Sequence, residues 1–177
     1  RIWVNYHGGI GWINEQSRRI VPLGNKALEK YKVVNDFKED KLHRIWVAAT
    51  QGLFVYSSAT RRALFPKDLV KDEATQVKLN GPCKALLIDR QGWVWVGTLN
   101  GLFVINPKDK SSRFFGKAEG MPNEMINGMI EDRYGNVWVT TPNGLCRFLR
   151  LQDGEMKLMV FDSQNKLGKT NFGWMTV

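Results

Sequence analysis

The stretch Asp89-Arg90-Gln91-Gly92-Trp93-Val94-Trp95-Val96-Gly97-Thr98-Leu99-Asn100-Gly101-Leu102 decides the fold. Its first four residues have the chemistry of a tight turn. The Asp side chain can bond the turn backbone, and Gly takes positive φ without steric cost. An apolar strand, Ala85 to Ile88, runs into that turn, and a second strand carrying Trp95 leaves it. A short loop then ends at Gly101. A third strand, Leu102 to Asn106, and a weaker fourth near Arg113 to Phe115 complete a four-stranded antiparallel unit.

The same order recurs along the chain. Ile2-Trp3-Val4 leads to Gly9-Ile10, Ile45-Trp46-Val47 to Gly52-Leu53, and Val137-Trp138-Val139 to Gly144-Leu145. The four Trp residues are spaced by 43, 49 and 43 residues, and a Gly follows each Trp by six. An Asp precedes the Trp by six in three repeats: Asp40, Asp89 and Asp132. A period of about 40 to 50 residues built from strands is that of β-propeller blades. The fold class expected is therefore all-β, with about four four-stranded blades. The repeats run approximately over 1–32, 33–80, 81–124 and 125–170, and 171–177 is a spare first strand.

The strand phase expects a chain cut out of register. It begins inside a second strand, at Arg1 without a Met, as a fragment of something longer would. The spare strand 171–177 is placed to pair with the opening strand and remove two exposed edges. Closure within one chain gives four blades; closure between two chains gives eight.

Composition bounds the function. The chain has 177 residues, a hydrophobic fraction of 43% and a formal net charge of +9. No run of 18 apolar residues is present to span a membrane as a helix. The basic residues are scattered, the densest groups being Arg18-Arg19, Arg61-Arg62 and Lys108 to Lys110, so nucleic-acid binding by this segment is not expected. Cys83 and Cys146 lack metal-ligand spacing and sit in apolar strand-like segments, which favours buried free thiols. The repeated Asp stands alone, without the array that a calcium loop needs, so no metal and no cofactor is expected.

The stretches Ile88 to Leu102 and Glu131 to Leu145 resemble the two-component regulator propeller repeat. Glu119-Gly120-Met121-Pro122-Asn123 is similar to the linker that precedes the next repeat in that family. The second repeat departs from the pattern, with Lys41-Leu42-His43 where the turn Gly is expected. The resemblance implies the periplasmic sensor region of a hybrid two-component system histidine kinase, with oligosaccharide ligands and signal transduction through a kinase and transcription regulator. It implies no kinase in this chain: His7 and His43 are isolated, and no nucleotide-binding glycine motif is present.

In a propeller the loops between second and third strands share a face with the linkers between blades. Sugars need flat apolar faces and amides or carboxylates there. Tyr6, His7, Gln51, Asn100, Asn123 and Asn143 fit that need and are the candidate ligand-binding residues. The repeated Trp residues are expected to be inter-blade packing. Trp93 is either an exposed platform or a contact with the next blade, and Trp12 also stands outside the repeat.

Three functions compete on the sequence. The first is a sensor segment binding an oligosaccharide, acidic if the net charge is functional, within a homodimer. The second is a protein-interaction scaffold. The third, an enzyme, finds little support, because Glu124 is the one clear acid on the loop face and glycosidases need two.

Overall fold

The structure, a computed structural model, describes residues 2–7, 9–150 and 155–161. Four antiparallel sheets follow one another along the chain, each a simple up-and-down meander. Blade 1 holds β1 (Ile2–Tyr6), β2 (Gly9–Asn14) and β3 (Arg19–Pro22). Blade 2 holds β4 (Val34–Glu39), β5 (Arg44–Ala49), β6 (Gly52–Ser57) and β7 (Arg62–Leu64). Blade 3 holds β8 (Cys83–Ile88), β9 (Val94–Thr98), β10 (Leu102–Asn106) and β11 (Ser111–Phe115). Blade 4 holds β12 (Gly128–Glu131), β13 (Val137–Thr141), β14 (Gly144–Arg150) and β15 (Met156–Phe161). The all-β propeller architecture read from the repeats is the one observed. Blade 1 enters at its second strand, as the phase predicts. The four sheets do not close a ring among the described residues, and the spare strand 171–177 lies outside them.

The middle strands of blades 2 and 3 are buried on both faces, which is why they read as continuous apolar runs instead of alternating ones. In β5, Ile45 and Val47 join the cluster shared with blade 1, while Trp46 and Ala48 join the cluster shared with blade 3. In β9, Val94 and Val96 face back to blade 2, and Trp95 faces forward to blade 4. The core is thus three inter-blade interfaces, as nearest-neighbour repeat architecture requires. Trp46 and Trp95 are almost fully buried in these interfaces. Trp3 meets Tyr56 of blade 2 edge-on, with ring centroids 6.4 Å apart.

The repeated Asp and Trp are one device. Asp40, Asp89 and Asp132 each accept the indole N–H of the Trp six residues on, at 2.9, 3.0 and 2.9 Å. The other oxygen of each carboxylate accepts two backbone N–H groups of the turn. These come from Leu42 and Arg44, from Gln91 and Trp93, and from Tyr134 and Asn136. One side chain therefore shapes the first hairpin and fixes the orientation of the packing Trp. Burial opposes ionisation of the Asp40 and Asp132 carboxyls, but the bonds they accept overcome it and hold both below the usual carboxylate range. Gly92 and Gly135 take positive φ in this turn, and His43 adopts the same conformation at φ 55°. The second repeat keeps the turn and accepts its backbone strain.

Two corrections concern the linkers. The fourth repeat is expected from residue 125, but its first strand, β12, begins at Gly128, because Ile126 and Asn127 donate across to Thr98 and Thr140. The longer spacing of the second repeat is taken up by two helices, α1 (Pro66–Leu69) and α2 (Glu73–Leu79), which strand-based reading omits. Pro66 opens α1, and Asp72 caps α2 by accepting from Thr75 at 2.7 Å. Leu69, Val70 and Leu79 of this insert enter the core between blades 2 and 3. Cys83 and Cys146 are buried free thiols in separate interfaces, as expected. Burial pushes both thiols up to about 12.

Candidate functional site

The loops joining second to third strands lie against the inter-blade linkers, at what we call the upper end of the blades. Gly101 donates to Glu124 at 2.8 Å, Thr50 donates to Val33 at 3.0 Å, and a Cβ on Gly52 would meet the Leu79 carbonyl at 2.9 Å. Glycine is needed at Gly52 and Gly101, since both combine φ near +125° with backbone or ring atoms too close for a side chain.

Three of the sequence-derived candidates meet here. Asn123 donates its amide to Asn143 Oδ1 at 3.0 Å, while its own Oδ1 accepts the Met125 N–H at 2.9 Å. Asn100 sits in the exposed turn beside the same linker, its backbone N–H held by Thr98 Oγ1 at 3.0 Å. Asn100 and Asn143 are solvent-exposed, so their side-chain amides are open to a ligand. The turn is held through the backbone of Asn100, not through its side chain.

The other three candidates are elsewhere. Tyr6 ends β1 and lines a cleft of about 370 Å³ between blades 1 and 2, with Ile10, Leu28, Tyr31 and Phe54. His7 is exposed in the adjoining turn and does not line that cleft. Gln51 is half-buried in the blade 2 turn, and its Oε1 is enclosed without a hydrogen-bond partner among the described residues. The Tyr31 hydroxyl is enclosed in the same unpartnered way. Burial, and secondarily Cys83, raises the pKa of Tyr31 above the usual phenol value, so it stays a neutral donor.

Sequence reasoning missed Tyr31 and a second cleft of about 580 Å³ that shares residues Pro22 to Lys26 with the first. Trp12, Tyr56 and Arg61 line this second cleft. A signal for Tyr31 existed: nine residues before the turn Asp, it stands where later repeats have Asn80 and Asn123. Trp93, left open above, contacts the next blade: the Arg150 guanidinium lies over its ring at 4.6 Å and pairs with Asp89 at 3.0 Å. Among the described residues no group of three His, Cys, Asp or Glu could hold a metal ion.

Residues 120–143 match the family of the two-component regulator propeller. The likeness is to one repeat of that family. The match covers the linker with Asn123, the Asp132 turn, Trp138 and the loop with Asn143, so the repeat contains both the scaffold device and the upper-end amide pair. No curated protein matches the chain in sequence.

Solved structures share the propeller fold. The extracellular domain of the hybrid two-component system BT3049 from B. thetaiotaomicron is 24% identical, with a TM-score of 0.74 over 96% of this chain and 22% of that one. The extracellular domain of the hybrid two-component system BT4673 from the same organism is 17% identical, with a TM-score of 0.68 over 88% of this chain and 19% of that one. Virginiamycin B lyase from Staphylococcus aureus is 14% identical, with a TM-score of 0.58 over 90% of this chain and 51% of that one. The chain thus spans about a fifth of the length of the two extracellular sensor domains.

Proposed function

We propose that this chain is the extracytoplasmic ligand-sensing propeller segment of a hybrid two-component sensor, and that its upper end binds an oligosaccharide. The observation that carries the reading is the two-component regulator propeller repeat at residues 120–143, whose linker and loop meet through Asn123 and Asn143. The fold likeness to extracellular domains of hybrid two-component systems supports the same role and an extracytoplasmic location. Exposed amides supply donors and acceptors for sugar hydroxyls, and the half-buried Tyr6 beside the blade 1–2 cleft supplies an aromatic face. The segment acts by binding and passes its signal to a kinase elsewhere in the receptor, within a homodimer.

Titration calorimetry against a panel of neutral, sulfated and uronic-acid oligosaccharides tests this. A saturable heat for one glycan class is expected, strongest for acidic members given the net charge of +9, and weakened by salt. Asn123→Ala and Asn143→Ala should abolish that heat while leaving stability within about 0.5 kcal/mol of the parent, as surface changes do. No heat with any member would contradict the proposal.

A further inference from the structure

The opposite, lower end of the blades carries a different chemistry. It is formed by the hairpins joining first to second and third to fourth strands. Four non-glycine residues have positive φ among the described residues: Arg18, His43, Arg61 and Lys110. All four lie on these lower hairpins. Arg18, Arg61 and Lys110 occupy the corresponding turn of blades 1, 2 and 3, just before the last strand begins. Gly or Asn is the ordinary occupant of a left-handed turn position, because a longer side chain strains the backbone. Three successive blades place a cation there instead.

A second set of cations repeats in register. Lys41, Arg90 and Arg133 each directly follow a turn Asp. Lys41 Nζ reaches the carbonyl of Arg90 at 2.7 Å, and Arg90 Nη1 reaches the carbonyl of Arg133 at 2.9 Å. A carbonyl orders these side chains without cancelling their charge, and Arg90 also has a carboxylate near, Glu131 Oε2 at 3.9 Å from its Nε. Most nearby carboxylates are engaged locally. Asp40, Asp89 and Asp132 hold the turns, Glu131 accepts the Arg90 N–H at 2.9 Å, and Glu39 bonds His43 at 2.6 Å. Glu15, Asp109 and Glu155 are exposed carboxylates on these hairpins among the described residues, and Asp109 caps its own turn through the Ser111 N–H.

Between the cations stand two large side chains that a solvated basic face does not need. Leu42 is 71% exposed and Tyr134 is 74% exposed, at the same position of the first hairpin in blades 2 and 4. The Arg133 guanidinium lies 4.8 Å from the Tyr134 ring centroid. Leu and Tyr at hairpin tips, flanked by Lys and Arg, match a bilayer's interface. Apolar and aromatic tips enter the headgroup layer there, and cations meet anionic lipid.

We propose that the lower face docks on an anionic lipid surface, with Leu42 and Tyr134 in the headgroup layer and the two sets of cations on the lipid phosphates. The inference is independent of glycan binding, since it uses the other end of the blades. A soluble polyanion would use the cations but gain little from the exposed Leu and Tyr.

Co-sedimentation of the chain with phosphatidylglycerol–phosphatidylcholine vesicles, and with pure phosphatidylcholine vesicles, tests it. Binding is expected to the anionic vesicles alone and to fall as salt is raised. The triple variant Arg18→Gly, Arg61→Gly, Lys110→Gly should bind on the order of a hundredfold more weakly, at roughly fivefold per cation. It should melt no lower than the parent, because glycine is at ease at those three positions. Leu42→Ser with Tyr134→Ser should also weaken vesicle binding, with the fold intact by circular dichroism. Failure of the parent chain to bind anionic vesicles overturns the proposal. So does vesicle binding that ignores the Leu42 and Tyr134 changes, which would assign the face to a soluble polyanion or acidic protein.

Discussion

At the lower end of blades 2, 3 and 4 the same hydrogen bonds recur, from turn backbone and indole to Asp40, Asp89 and Asp132. At the upper end the loops vary more: His7-Gly8, Thr50-Gln51, Leu99-Asn100 and Pro142-Asn143 stand at equivalent places, and only the last two share an Asn. The first set is constrained because each Asp serves a turn and a Trp at once, and Trp46 and Trp95 pack between blades. The second set is relieved of that duty by the glycines that follow. A repeated aromatic is thus the weaker pointer to function here, and a residue that interrupts the repeat is the stronger one.

The contrast can be broken first at its strongest point. Trp95→Ala removes a nearly fully buried side chain that contacts Phe148 at a centroid distance of 5.3 Å. It should cost about 3–5 kcal/mol in urea unfolding. A cost comparable to that of a surface change would mean the repeated Trp is not the scaffold.

Gly101→Ala sharpens the comparison from the other end. A Cβ there would lie 2.3 Å from the Phe114 ring, so the loop glycine is a packing constraint as well as a conformational one. About 1–3 kcal/mol should be lost by the same measurement. Gly92→Ala makes the control: nothing lies within 4 Å, so only the positive φ is penalised, at about 1–2 kcal/mol.

Acid tests the Asp device as a whole. The folded-state values for Asp40 and Asp132 are depressed, so their contribution is fully present above the unfolded carboxyl value, about 4. It is lost as pH falls through the folded values. The melting temperature should therefore drop below about pH 4, and Asp132→Asn should shrink that drop. A melting temperature unchanged through this range would count against the device. The smallest effect is at His43, where the second repeat bears strain that Gly92 and Gly135 avoid. His43→Gly should stabilise the chain by about 0.5–1 kcal/mol in thermal melts.

Much of this was legible in the sequence. The spacing of Trp3, Trp46, Trp95 and Trp138 yields the blades, and the strand phase yields a first blade that starts at its second strand. Strand periodicity missed α1 and α2, because the insert's apolar residues, Leu69, Val70 and Leu79, fill the wedge between outer strands and belong to no repeat. The pairing of Asn123 with Asn143 was not legible either, since only the close approach of linker and loop brings residues 20 apart together. Tyr31 was hidden for the same reason: its neighbours Phe54 and Phe65 come from two different strands or linkers of blade 2.

Hydrogen–deuterium exchange with and without the glycan that gives a calorimetric response tests the division between the two ends most directly. New protection is expected at 98–101, 121–127 and 140–144, and none at the Asp turns 40–44, 89–93 and 132–136. Protection confined to those lower turns would contradict it.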